Sequence, residues 1–167
     1  MTAKWDTKLL SRLMLNHFAP DMAKLASNKP PKSNIDVLIT FDQWGISSHP
    51  NHKALYHASK TFLQQMMRRH SGWEAPIKIY TLTTTTTLRK YMSIVDSMAS
   101  VMDVIFSRKE EGDVPSPLFF VSTPMDYRKA QVAMTSGHKS QMVWFRWGWI
   151  TFSRYMIINY LKKEKIV

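Results

Sequence analysis

The chain reads as an α/β protein, with a parallel sheet covered by helices. Three short apolar runs, residues 35–41, 77–82 and 118–122, have strand length and lie between longer segments with apolar residues at helical spacing. Strands alternating with helices favour parallel pairing, because a parallel neighbour needs a crossover connection of helix length. A length of 167 residues and a hydrophobic content of 44% suit one domain with its own core.

Taken in order, Trp5, Leu9, Leu10, Leu13, Met14 and Phe18 recur at helical spacing and predict an amphipathic helix over about 5–26. Residues 27–34 contain Pro30 and Pro31 and read as a loop. Residues 35–41 read as a buried strand. Leu55, Ala58, Phe62 and Met66 mark the next helix, which opens near Lys53 and ends before Ser71-Gly72. Residues 77–82 form the second strand, and the threonine run 83–87 covers a strand end and a helix N-cap. Leu88, Met92, Val95, Met98, Met102 and Ile105 predict a helix to about 106. Residues 108–117 read as a surface loop, and 118–122 as the third strand. Tyr127, Ala130 and Met134 mark a short helix, and a longer one is expected from 140 to about 161. The 12 methionines, scattered over these faces, read as core filler.

Net charge is +11 and the isoelectric point is near 10.0, which fits an anionic partner. No nucleic-acid module is recognisable, so nucleic acid is not expected. A membrane surface fits better, because seven aromatics between 143 and 161 are followed by Lys162, Lys163 and Lys165. Arg146 and Arg154 argue against a membrane-spanning helix there. Two readings stay open for 140–161: an interfacial helix, or a helix docked on the sheet with its aromatics in the core. There is no cysteine, hence no disulfide and no thiolate for a closed zinc site. Residues 1–26 contain no apolar core of a secretory signal.

The chemistry-bearing stretch is His49-Pro50-Asn51-His52, where the first strand hands over to a helix. Histidines three apart at a helix start lie on nearly the same face, and the strand-to-helix turn is the usual place for α/β active sites. One imidazole suits a metal and the other a proton donor beside it. His57, five positions past His52, points elsewhere on the helix. Asp42 ends the strand and reads either as a carboxylate orienting a metal-binding histidine or as an ordinary turn residue. His138 follows Gly137 and reads either as a contact to a sugar or phosphate or as a residue of a helix start.

The stretch LITFDQWGISSHPNHKALY, residues 38–56, resembles the second signature of the N-acetylglucosaminyl-phosphatidylinositol de-N-acetylases, the glycolipid branch of a zinc deacetylase family. Leu88-Arg89-Lys90-Tyr91 with Ser93 and Asp96, the block HKSQMVWFRWGWITFSRY at 138–155, and Trp5-Asp6-Thr7 resemble the same branch in the same order. The resemblance implies a Rossmann-like fold and hydrolysis of the N-acetyl group of N-acetylglucosaminyl-phosphatidylinositol, the second step of glycosylphosphatidylinositol anchor synthesis. It implies work at the cytoplasmic face of the endoplasmic reticulum membrane. It further implies that His52 binds zinc, or another divalent metal, and that His49 stabilises the oxyanion. Gly45 matches a family glycine, whereas Gln43, Trp44 and Ser48 stand where small residues are frequent. The family's first signature, His-Pro-Asp-Asp-Glu, supplies two metal ligands and the general base, and no such segment is present. Residues 1–167 are therefore expected to be a single partial deacetylase domain, incomplete at its N-terminus and with little or no activity alone. The rivals are an inactive remnant that binds glycolipid or a partner, and a basic module that docks on membranes.

Overall fold

A computed structural model describes residues 4–106 and 117–165, without the side chains of Ala23, Ser93, Ile94, Asp103 and Val104. Most of the expected loop at 108–117 lies outside the described residues. The chain divides into two compact units, residues 1–84 with 162–167, and residues 85–161.

In the first unit, Asp6 starts helix α1 (Thr7–Phe18) by accepting from Lys8 N at 2.8 Å. The helix stops well short of 26. Pro20 has no N–H to donate and forces Ala19 out of helical geometry, leaving only a short 3-10 turn over Pro20–Ala23. Strands β1 (Val37–Phe41) and β2 (Lys78–Leu82) pair in parallel, from Val37 opposite Lys78 to Phe41 opposite Leu82. Between them run α2 (Gly45–Ser48), a single kinked turn, and α3 (Pro50–Met67). Phe62, Leu63, Met66, Ile77 and Ile79 are buried with Ala19 and Met22, and Met14, Leu15, Phe18 and Leu38 pack against them. Each large side chain so buried contributes about 1.5–3 kcal/mol.

Two elements, α1 and β1, depart from their expected burial. Ser11 of α1, flanked by predicted core positions, is fully buried and donates to Gln65 Oε1 of α3 at 3.0 Å. Leu9 and Leu13 stay outside, so the contact face of α1 is rotated from the one the leucines suggest. The strand 35–41 was expected to be buried, yet Val37 is 46% and Ile39 59% exposed. Side chains alternate along a strand, and only the face of β1 carrying Leu38 meets the core beneath α1 and α3.

The second unit carries α4 (Thr87–Tyr91), α5 (Ser93–Phe106), β3 (Leu118–Val121), α6 (Pro124–Gly137) and α7 (Trp144–Phe152). Thr86 caps α4, as the threonine run predicts. Strand β4 (Ile158–Lys163) pairs antiparallel with β3, from Leu118 opposite Leu161 to Val121 opposite Ile158. The strand order is β1-β2-β4-β3. The α/β class is thus as expected, and the sheet is mixed rather than parallel throughout. The last two residues of β4 belong with the first unit, where Thr81 Oγ1 donates to Lys162 O and Glu164 N donates to Ile79 O.

The single helix expected over 140–161 is a correction. Helix covers only Trp144–Phe152. Ser153 then turns to extended geometry and its hydroxyl accepts from Tyr155 N. A 3-10 turn and β4 follow, because Ile158 and Leu161 find buried places beside a strand. Several methionines read as core filler, Met92, Met98, Met102 and Met125, lie exposed instead.

Candidate active site

The site begins with the carboxylate at the end of β1. Asp42 Oδ1 accepts from Trp44 N at 3.1 Å, Gly45 N at 3.0 Å and Thr84 Oγ1 at 2.6 Å, while Oδ2 accepts from Thr84 N at 2.6 Å. The turn-residue reading of Asp42 is what the geometry displays. Thr84 passes the restraint on, since its Oγ1 also accepts from Ile46 N at 3.0 Å. These bonds hold a run of four positive φ angles: Gly45 at 63°, Ile46 at 40°, Ser47 at 65° and Ser48 at 60°. Three are non-glycine residues, and such conformations persist only where the surroundings over-determine them. A Cβ on Gly45 would stand 3.0 Å from His52 Cβ and 3.0 Å from Lys53 Cγ, so this position also lacks room for a side chain.

The strained turn aims its own backbone at a histidine. Gly45 O lies 2.9 Å from His52 Nδ1. A carbonyl can only accept, so Nδ1 carries the proton and the neutral ring keeps its lone pair on Nε2. Phe41 stacks on the same imidazole at 3.9 Å between centroids and 8° between planes. His49 has the opposite tautomer. It is the N-cap of α3, with Pro50 following, and its Nδ1 accepts from Asn51 N at 3.3 Å, so the neutral ring bears its proton on Nε2. The two rings lie 4.8 Å apart, tilted by 37°. One ring offers a lone pair to a cation, and the other offers an N–H to a developing anion. Asn51 Oδ1 accepts from Trp5 N at 3.2 Å, which ties the start of α1 to this loop.

His49, His52 and Asp42 are therefore brought together in the first unit. His138 belongs to the second. It caps the C-terminal end of α6 by donating its N–H to Met134 O, and it is exposed. With Met134, Gln141, Met142, Arg146, Trp149 and Ile150 it lines an open pocket of about 280 Å³. Sequence reasoning missed Thr84 and the Gly45 carbonyl. Their signals were the Thr83–Thr87 run and the lone glycine before the histidines.

The donors fit a resident metal only in part. His52 presents an oriented, unprotonated Nε2, as a metal ligand must. Among the described residues, however, no group of three or more His, Asp or Glu side chains could hold an ion, and three protein ligands are what an open catalytic site needs.

Three relatives bear on identity. The N-acetylglucosaminyl-phosphatidylinositol de-N-acetylase of Arthroderma benhamiae is 41% identical over 191 residues, covering 99% of this chain and 57% of the relative. The protein named Probable N-acetylglucosaminyl-phosphatidylinositol de-N-acetylase of Schizosaccharomyces pombe is 32% identical over 98% of this chain and 55% of its own length. The Bos taurus N-acetylglucosaminyl-phosphatidylinositol de-N-acetylase is 32% identical over 95% of this chain and 51% of its own length.

The chain belongs to the N-acetylglucosaminyl-phosphatidylinositol de-N-acetylase family.

It spans about half the length of these de-N-acetylases. No family model matches the chain, and no solved structure matches it. The named relatives are deacetylases, and the paired tautomers of His49 and His52 are a chemically sensible part of a site for amide hydrolysis.

Proposed function

We propose that this chain carries part of the active site of a hydrolase that removes the acetyl group from N-acetylglucosaminyl-phosphatidylinositol during anchor biosynthesis. The observation that carries the reading is a pair of contacts, His52 Nδ1 with Gly45 O of the strained turn and His49 Nδ1 with Asn51 N at the start of α3, from which the opposed tautomers follow, in a chain 41% identical to a relative bearing that name. His49 Nε2–H donates to the oxygen of the amide carbonyl as negative charge builds on it. A preorganised donor of this kind is worth about 10²–10³ in kcat. His52 is the metal ligand this chain adds, and zinc is the ion proposed, where it would polarise the carbonyl and activate water. The other donors and the general base belong to the His-Pro-Asp-Asp-Glu signature, which this sequence does not contain.

A lipid substrate calls for contact with a membrane, and we place that contact at the endoplasmic reticulum's cytoplasmic face. In support, Trp144 is 85% exposed, and Phe145, Trp147 and Phe152 of α7 are exposed as well. No helix among the described residues is long and apolar enough to cross a membrane.

The test joins the upstream segment of the Arthroderma benhamiae relative to this chain and measures acetate release from N-acetylglucosaminyl-phosphatidylinositol with added zinc. Release by the chimera is expected, with little or none from the 167-residue chain alone. His52→Ala should abolish it, and His49→Gln should lower kcat about 10²-fold or more with KM little changed. A folded chimera that releases no acetate overturns the reading.

A further inference from the structure

Within the second unit, a second polar cluster is unused by the chemistry above. Asp96 of α5, buried, holds two guanidinium groups at once: Arg89 Nε lies 2.6 Å from its Oδ1, and Arg154 Nη1 lies 2.7 Å from its Oδ2. Ser100 Oγ accepts from both arginines, from Arg154 Nη2 at 3.1 Å and from Arg89 Nη2 at 3.4 Å. Two cations thus share one carboxylate, and the cluster carries one uncompensated positive charge among the described residues. Arg154 is only 3% exposed, and among the described residues neither its Nε nor Asp96 Oδ2, both buried, has a hydrogen-bond partner, so the Arg154–Asp96 contact is an ion pair without a well-aligned hydrogen bond. Burial pushes the Arg154 pKa down, Asp96 opposes that shift, and Arg89 adds to it. Two guanidinium groups on one carboxylate leave a positive surplus that an incoming anion would offset.

Arg89 is placed to receive that anion. Its side chain is 51% exposed. Asp96 and Ser100 take the Nε and one N–H of Nη2, which fixes the plane of the guanidinium. Among the described residues Nη1 and the outer N–H of Nη2 remain, and together they form the flat two-donor edge that matches two oxygens of a phosphate. A free surface arginine loses side-chain entropy on binding, whereas this one is already held.

We propose that Arg89 is an anion-binding side chain whose ligand is a phosphodiester, the group that joins an inositol headgroup to its lipid. The assignment deepens the functional reading above and rests on it for the choice of phosphodiester. Asp96, Ser100 and Arg154 are positioning residues for it.

The test is isothermal titration of the 167-residue chain with glycerophosphoinositol, inorganic phosphate and free inositol, against Arg89→Gln and Arg89→Lys. Arg154 keeps Asp96 paired when Arg89 is replaced, so the fold should survive, as circular dichroism can verify. Salt-sensitive binding of glycerophosphoinositol is expected, weakened about tenfold in Arg89→Gln and less in Arg89→Lys. Should Arg89→Gln not fold, Arg89→Lys alone decides: it keeps the charge and loses the fork, and must still weaken binding threefold or more. Absent binding by the native chain overturns the proposal, as does a loss under threefold in Arg89→Gln or equal binding of free inositol. Arg89-dependent binding of inorganic phosphate that matches glycerophosphoinositol overturns the headgroup assignment. The two readings fail separately. A chimera that releases acetate with KM unmoved by Arg89→Gln sinks this inference alone, and Arg89-dependent headgroup binding without acetate release sinks the deacetylase reading alone.

Discussion

At the scale of single residues, the Asp42 carboxylate does the most. It accepts four hydrogen bonds, and through Thr84 and Gly45 it sets the turn whose carbonyl fixes the His52 tautomer. Asp42→Ala should cost about 1–2 kcal/mol, since half-buried donors lose a charged acceptor, and urea denaturation measures this directly. Gly45→Ala meets both a φ of +63° and contacts at 3.0 Å, and should cost about 1–3 kcal/mol. The same substitution should disturb the His52 ring, seen as a shift of its imidazole resonances in NMR. The two histidines were singled out in the sequence by their spacing at a strand-to-helix turn together with the resemblance carried by residues 38–56. Their tautomers were not legible there. They depend on which backbone group each Nδ1 meets, and so on a run of positive φ angles that Ile46, Ser47 and Ser48 do not advertise.

At the scale of elements, helix starts follow local chemistry closely. Thr123 and Asp126 cap α6 reciprocally: Thr123 Oγ1 accepts from Asp126 N at 3.2 Å, and Asp126 Oδ2 accepts from Thr123 N at 3.2 Å. The Thr123 bonds hold the Asp126 carboxyl below its ordinary value of 3.8. A carboxylate depressed in the folded state stabilises above its unfolded pKa, and that contribution is lost as pH falls through the depressed folded value. The stability gap between the native chain and Asp126→Asn should therefore be constant from neutral pH to the ordinary carboxylate range, then close in stronger acid. Thr123→Ala should cost about 1 kcal/mol in thermal unfolding. The first three strands could be read from apolar runs bounded by polar and proline residues. β4 could not, because Ile158–Lys163 follows an aromatic helix without a glycine or proline between them. The one break signal is Ser153, whose hydroxyl caps the following turn. At α1 the break signal was plain, for Pro20 stops the helix that apolar spacing would have continued.

At the scale of the whole molecule, the chain combines a net charge of +11 with exposed aromatic side chains on α7. With a net charge of +11, the chain should bind vesicles that contain anionic lipid and release as salt rises from ~0.1 to ~0.5 M, which co-sedimentation will follow. Trp144→Ala with Trp147→Ala should weaken the salt-resistant part of that binding. The composition raised the expectation of an anionic partner, whereas the exposed stripe of α5 was hidden, since Val95, Met98, Met102 and Ile105 have the same spacing whether a helix faces a core or solvent. One feature of the sheet governs how the chain behaves at the bench. β1 ends the strand order, and its outer residues, Val37 and Ile39, stand open to water. An apolar strand at a sheet margin is a template for another copy of itself, and Val37–Phe41 contains neither a charge nor a proline to discourage it. Gatekeeping falls instead to Asp36 and Asp42 on either side and to the repulsion between highly cationic molecules. High salt, which screens that repulsion, should turn a clear solution of this chain turbid.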